Sequence, residues 1–400
     1  MSDPWQGWNP IDPGQRENPH PALARLRRED PVNETAFGLW RLTRYTDVVR
    51  LLRDVPTGVR LSDGTFFGQS ADAPRLSADE FMLRQDPPTH TRLRKLVSKA
   101  FTPRAIERMR ERVQAITDAL VERALDAREL DVISGLALPV PATVICEMLG
   151  VPLADRDRFT RWTAEATHLL AAFFSPPDVV ERSIASTRAL EEYFTALIAD
   201  RRAHLGDDLL STLIRAEEEG DRLTPDELLS QAIGLLIAGF ETTIGLIGNG
   251  ILTLLRHPAE LRRLAAEPGL IASAVEECLR FEGPIVLTSR ILREDTKFGT
   301  KLIPRDTLVW GVLAAANRDP AQFPDPDRFD IARTPNEHLA FGGGAHLCLG
   351  THLARMESQV AIGTLLRRAP QLELVDEPLE WGPSLFRVLA RLPVRIGKVE

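Results

Sequence analysis

Phe341-Gly-Gly-Gly-Ala-His-Leu-Cys-Leu-Gly350 runs directly into a stretch where Leu349, Leu353, Met356, Val360 and Leu365 recur at helical spacing. One cysteine, Cys348, therefore stands between a triple-glycine bend and a helix predicted from Leu349 to about Arg368. Glycines let the backbone turn tightly and approach a flat ligand without a side-chain clash. Their N–H groups can point at the sulfur, and the positive end of the helix lowers the thiol pKa. A lone cysteine is more often a small buried hydrophobe. Here the fixed spacing of Phe341, Gly344, Cys348 and Gly350, with His346 two residues ahead of the sulfur, favours a metal-binding thiolate. A thiolate ligand pushes electron density onto haem iron and favours O–O cleavage, so the expected chemistry is oxygen activation.

A second stretch supports this reading. Thr224-Pro225-Asp226-Glu227 is a capping box with proline at the first helical position, and His257-Pro258 supplies a stop. The helix between them, about 30 residues at ~1.5 Å each, would cross a domain. In its middle stands Ala238-Gly239-Phe240-Glu241-Thr242-Thr243. Small residues let a helix lie close over a flat ring. The Thr242 hydroxyl can bond back to the Ala238 carbonyl and open the helix into a groove. Glu241 and Thr242 then form an acid–alcohol pair able to deliver protons during oxygen activation. A helix-packing glycine beside two satisfied threonines is the plainer alternative.

Composition bounds the remaining possibilities. The chain has 400 residues, 44% of them hydrophobic, enough for a large core. A formal charge of −8 argues against nucleic acid as a partner. Cys146, Cys278 and Cys348 are odd in number and share no C-x-x-C spacing, which points to a reducing cytoplasm rather than a disulfide framework. Residues 1–21 are polar and proline-containing, carry Trp5 and Trp8, and read as an extended arm without a targeting signal or membrane anchor. Ala232 to Leu255 is long enough to span a bilayer, but Glu241, Thr242, Thr243 and Asn249 in its middle favour a buried core helix. No linker or repeat divides the chain. The pattern is almost wholly helical from about Thr89 to Arg280, with β-like runs near Leu39 to Leu42, from Pro284 to Asn317 and from Leu372 to Arg395. The expected fold class is mainly α with a minor β portion in a single domain over 1–400.

These motifs, in this order, resemble those of the cytochromes P450. The resemblance covers the full length and implies the triangular, helix-rich fold of that family, haem b (iron protoporphyrin IX) as cofactor, and monooxygenase activity on a hydrophobic small molecule. It makes Cys348 the iron ligand, places Phe341, Gly350 and Ala238 against the haem, and makes Glu241 and Thr242 the oxygen-activation pair. Haem carboxylates need cations when partly buried. The family's motif positions for them fall on His90, Arg94, Arg290 and His346, His90 and Arg94 lying four apart on one helix face. Glu277 and Arg280 form the family's E-x-x-R, whose third member would be Arg328 in Pro326-Asp-Arg328-Phe329. This buried network is expected to serve folding and haem incorporation rather than chemistry.

No G-x-G-x-x-G follows a strand, so electrons must come from a separate protein. Relatives imply a ferredoxin or flavodoxin. Between Arg84 and Arg112 stand nine Lys or Arg against three acids, and Arg92, Lys95 and Lys99 fall off the His90/Arg94 face, where an acidic partner could dock. Substrate-lining positions are expected at Ile237, Ala238, Val286, Leu287 and Phe386. A roof would come from Phe66, Phe67 and the run from Leu169 to Phe174. All are apolar, which suits a fatty acid, terpenoid, steroid or macrolide, with secondary-metabolite tailoring as the pathway role. Two rivals remain at this stage. A peroxide-driven peroxygenase would need its own acid–base group near the iron. A haem-based gas or redox sensor would need a fused signalling domain.

Overall fold

Prolines open helices here as often as they interrupt the chain. Pro103, Pro139, Pro177, Pro225 and Pro258 each occupy the first position of a helix, where the missing N–H costs nothing. In the computed structural model, which describes residues 3–68, 76–218 and 223–397, the longest helix is Pro225–Arg256. It starts at the expected capping box: Thr224 Oγ1 accepts from the Glu227 amide at 3.1 Å, and the Glu227 carboxylate accepts from the Thr224 amide at 2.9 Å. It packs against Pro139–Met148, Ile271–Glu282 and Thr351–Arg368. It is long and apolar enough to cross a membrane, but 72% of its apolar stretch is buried inside the protein, as befits a core helix.

The β portion is small and assembled from distant segments. Val32–Glu34, Trp40–Leu42, Leu308–Gly311, Thr288–Leu292 and Thr57–Gly58 form one sheet in that order. Trp40 pairs with Val309 in parallel register, and Arg290 with Val309 in antiparallel register. A second sheet joins Glu129–Asp131, Pro393–Ile396 and Leu372–Leu374. The strand Glu129–Asp131 interrupts a region that reads as continuous helix in sequence, because its partner, Pro393–Ile396, lies at the far end of the chain.

The N-terminal segment is not an extended surface arm. It contains helices Pro13–Glu17 and His20–Glu29, and it buries Trp5 and Trp8 in a cluster with Leu39, Val286 and Trp310. Arg41, fully buried on the strand Trp40–Leu42, donates to the carbonyls of Trp8 at 2.7 Å and Gln6 at 3.3 Å and to Asn33 Oδ1 at 2.7 Å. Sequence showed two tryptophans in a polar stretch, but not the guanidinium and apolar surface that receive them.

Glu277 and Arg280 form the expected buried pair, with Nε–Oε2 at 2.7 Å and both side chains wholly inaccessible. The third arginine is Arg333 rather than Arg328. Arg333 Nε lies 3.2 Å from Glu277 Oε1 with its side chain 10% exposed, whereas the Arg328 side chain is 66% exposed. Arg328 contributes its backbone carbonyl, which accepts from both Arg280 and Arg333. Turns in the segment around Asp325, which has φ +47°, decide which guanidinium points inward, and residue spacing does not encode that. Arg333→Ala should destabilise the fold by about 3 kcal/mol, the low end for removing one partner of a buried ion network. Arg328→Ala should stay within about 0.5 kcal/mol. Denaturant unfolding of the two variants checks this, and equal losses would contradict the assignment.

Candidate active site

The glycine loop is closed by its own backbone. The Cys348 amide donates to the Phe341 carbonyl at 3.0 Å, and the Leu347 amide to Gly344 O at 3.1 Å. Gly344 has φ +68°, and a Cβ there would stand 2.0 Å from the carbonyl oxygen of Leu52. Only glycine serves at this position. The helix behind the loop is Thr351–Arg368 with Gly350 as its N-cap, so it begins slightly later than the apolar spacing suggests. The backbone N–H that reaches the sulfur is that of Gly350 and not of the triple glycine.

Cys348 is exposed as a residue, yet protein surrounds its sulfur closely enough to desolvate the thiolate. Burial therefore pushes the thiol up from its ordinary value, against the opposing pull of the Gly350 N–H, Arg94 and Arg355. The lowering expected from the helix end alone does not prevail. Metal coordination would deprotonate such a thiol outright. Arg355 also fixes the front of the loop. Its guanidinium lies over the Phe341 ring, 4.7 Å from the centroid, and forks onto Glu276 at 2.7 and 2.6 Å. Burial opposes ionisation of Glu276, but His338 and Arg355 together hold it at about 2.

Two arginines and two histidines converge beside this loop. His90 and His346 stack with ring centroids 4.1 Å apart. Arg94 donates to the carbonyl of Leu347 at 2.6 Å, which ties Thr89–Val97 to the cysteine loop. Arg290 is 7% exposed, and burial pushes it down to about 10. Its hydrogen bonds go only to neighbouring neutral groups, Thr288 Oγ1 at 3.2 Å and Ser289 O at 2.7 Å. His346 is depressed to about 3 by burial and by the fields of Arg290, His90 and Arg94. Arg94 and Arg290 oppose protonation of both histidines. Asp86, the acid that partly offsets them, is bonded to Arg293 at 2.5 Å. Two guanidinium groups and two imidazoles gathered beside a thiol are a fitting receptor for a planar group carrying two carboxylates.

On the central helix, Ala238 is exposed and Thr242 half-buried, although nearly every neighbour is buried. Thr242 Oγ1 donates to Ala238 O at 3.3 Å, as the sequence suggests, but the helix stays α throughout and does not open into a groove. The π-type turn lies at Ile133–Ala137, on a segment packed against the central helix. Gly239 serves packing, since a Cβ there would meet Ile145 at 3.0 Å. The carboxylate of Glu241 is engaged by Thr167 Oγ1 at 2.6 Å and Ser384 Oγ at 3.2 Å, separate from the Thr242 hydroxyl. No spacing could have flagged Thr167 or Ser384, which lie 74 and 143 residues from Glu241.

The expected substrate positions divide. Ile237, Leu169 and Phe386 are half-buried and Ala238 is exposed, while Val286 is buried and packs with Leu287 against the Trp5/Trp8 cluster. Phe66 is covered by the guanidinium groups of Arg60 and Arg84, at 4.4 and 3.7 Å from its ring centroid, and Phe67 is half-buried. Of the run from Leu169 to Phe174, the side chains at 170, 171, 173 and 174 lie outside the described residues.

Fold and site together define a haem-thiolate oxidoreductase. The family model described as Cytochrome P450 matches residues 14–271 and 269–369. The chain is 44% identical to Cytochrome P450 107B1 of Saccharopolyspora erythraea, over 97% of each chain. It is 39% identical to the 6-deoxyerythronolide B hydroxylase of the same organism, over 93% of this chain and 95% of that one. Among solved structures it resembles myxobacterial CYP267B1 in complex with myristic acid, with a TM-score of 0.88 and 41% identity over 97% and 98% of the two chains. This chain belongs to the cytochrome P450 family. It is a monooxygenase, its cofactor is haem b, and members of its bacterial branch use redox partners and O2 on hydrophobic substrates.

Arg290→Ala and His346→Ala should each weaken haem retention roughly tenfold or more, the cost of one lost charge-assisted bond. Haem transfer to an excess of apomyoglobin measures this. Unchanged transfer rates would remove these residues from the cofactor site.

Proposed function

We propose that this protein hydroxylates or epoxidises a hydrophobic small molecule, with Cys348 as the iron ligand, and works in secondary-metabolite tailoring. The observation that carries this reading is the desolvated thiol of Cys348 beside the guanidinium groups of Arg94 and Arg290 and the imidazoles of His90 and His346, whose protonation those guanidinium groups oppose. When bound, the haem supplies the redox chemistry that splits O2. The chain's own part is to hold and orient. His90, Arg94, Arg290 and His346 receive the two propionates, the Gly350 N–H stabilises the thiolate, and Phe341 is locked by Arg355 beside the loop. Ala238, small and exposed, would leave room for the haem, and Thr242 carries a hydroxyl one turn along the same face. Ile237, Leu169 and Phe386 supply apolar lining. The myristic acid bound to one relative and the tailoring roles of others support a hydrophobic substrate.

The electron donor we propose is an acidic ferredoxin or flavodoxin in the cytoplasm. Ion pairs thin out the basic segment. Arg84 pairs with Asp79, Arg92 with Glu227, Arg110 with Glu107 and Arg112 with Glu147. Arg92, expected from sequence to face the partner, is thus committed to the start of the central helix. Lys95, Lys99, Arg104 and Arg108 stay exposed outside these pairs. Leu347, 43% exposed and adjacent to Cys348, offers an apolar contact on the cysteine loop.

The reduced carbon monoxide complex should show the long-wavelength Soret band of thiolate ligation, and Cys348→Ser should abolish it. Persistence of that band in the variant would remove Cys348 as the ligand. Lys95→Glu combined with Arg108→Glu should slow reduction by an acidic ferredoxin roughly tenfold at low ionic strength, the lower end of electrostatic steering. The difference should fade as salt screens it. Stopped-flow reduction at two salt concentrations tests this, and a salt-independent effect would argue against docking by charge.

A further inference from the structure

Counting protons around Glu241 gives a result beyond its place in the motif. The Thr167 hydroxyl lies 2.8 Å from the carbonyl oxygen of Thr163 and 2.6 Å from Glu241 Oε2. A hydroxyl has one hydrogen to donate, and a carbonyl can only accept. If the Thr167 hydrogen goes to Thr163 O, the 2.6 Å contact with Glu241 requires a hydrogen on the carboxyl oxygen. The other oxygen, Oε1, accepts from Ser384 Oγ at 3.2 Å, while Ser384 Oγ in turn accepts from the Phe386 amide at 3.2 Å. Both partners are buried, Thr167 at 2% and Ser384 at 5% exposure.

We propose that Glu241 rests as a neutral carboxylic acid whose proton points at Thr167, with Thr167 and Ser384 as its positioning residues. The surroundings agree. Burial raises the Glu241 pKa, and no charged side chain contributes to the shift. Glu165, His168 and Arg387, on the elements that carry the two hydroxyls, do not enter it. Neither does Arg16, which binds the carbonyls of Gly382 and Pro383. Hydroxyls of Thr167 and Ser384 donating to a carboxylate pull the value down, and burial outweighs that pull. A neutral acid held this way is a stored proton.

Under the proposed function, on which this part rests, the carboxyl would turn from Thr167 and pass its Oε2 proton to a water molecule, since the Thr242 hydroxyl is bonded to Ala238 O and not to Glu241. The Thr167 hydrogen then turns from Thr163 O to the new carboxylate, so the charge formed gains a hydrogen bond as the proton departs. Thr167 stands at the end of the helix Arg156–Ala166, and Ser384 lies in the C-terminal turn. The proton source is therefore assembled only when both segments are seated on the central helix.

The test is difference infrared spectroscopy on the resting ferric protein at neutral pH. Wild type minus Glu241→Gln should show the C=O band of a protonated carboxylic acid, shifted in D2O. Thr167→Val should move that band to higher frequency, and Thr167→Ser should restore it. The movement in Thr167→Val identifies the band even if the glutamine variant does not fold. A carboxylate signal in place of the acid band would overturn the proposal, and an acid band unmoved in Thr167→Val would overturn the direction assigned to the proton. In turnover, Glu241→Gln should lose roughly a hundredfold, the low end for a general acid. Thr167→Val should lose less and be rescued by Thr167→Ser. The infrared reading needs no turnover, so it stands or fails separately from the Soret band that tests thiolate ligation.

Discussion

Positive charge held in a protein interior is costly, and beside Cys348 this fold gathers two guanidinium groups with two imidazoles, offset only in part by Asp86. His90, Arg94, Arg290 and His346 come from three separate parts of the chain, and the two arginines oppose protonation of both histidines. Such an arrangement is tolerable only if something anionic is held there. The haem of the cytochrome P450 family carries two carboxylates that answer the need. The cation cluster and the thiol therefore describe one ligand from two sides, one reading its edge and the other its metal.

Two interior hubs elsewhere are balanced, and the contrast is informative, although buried Glu357 has no hydrogen-bond partner among the described residues. Glu277 is shared between Arg280 and Arg333, with Asn336 and the Asp330 amide filling its remaining acceptor sites. Glu282 accepts from His20, Arg318 and Arg387, and despite its burial these partners hold it well below the usual carboxylate range. Through that hub the N-terminal helices, the end of Ile271–Glu282 and the C-terminal turn are drawn together. The two hubs are frame. The unbalanced cluster marks the place where the frame expects a guest.

Glu241 shows a third solution, a half-buried acid with no cationic partner. Its hydroxyl partners are neutral, and the proposed proton on Glu241 completes the pattern if the Thr167 hydrogen stays on Thr163 O while Ser384 donates to Oε1. Thr242, one residue on, is turned toward the Ala238 carbonyl. Neighbours in sequence on a helix point about 100° apart, so an acid and an alcohol written side by side are presented to different surroundings.

Much of this was legible in the chain because the information is local. The capping box at Thr224, the proline at the first position of the central helix, the glycines before Cys348 and the four-residue spacing of His90 and Arg94 each constrain only a few consecutive residues. Backbone sterics and hydrogen-bond geometry act on that scale. What the tertiary structure alone decided is which distant partners meet. Arg333 took the place expected for Arg328, and Trp5 and Trp8 went into a core instead of lying on the surface. Arg92 was spent on Glu227, the central helix stayed α where a groove was expected, and Thr167 and Ser384 came to hold Glu241. Each of these outcomes depends on which groups remain unsatisfied once the chain is packed, and burial makes that choice across hundreds of residues where residue spacing carries no record of it.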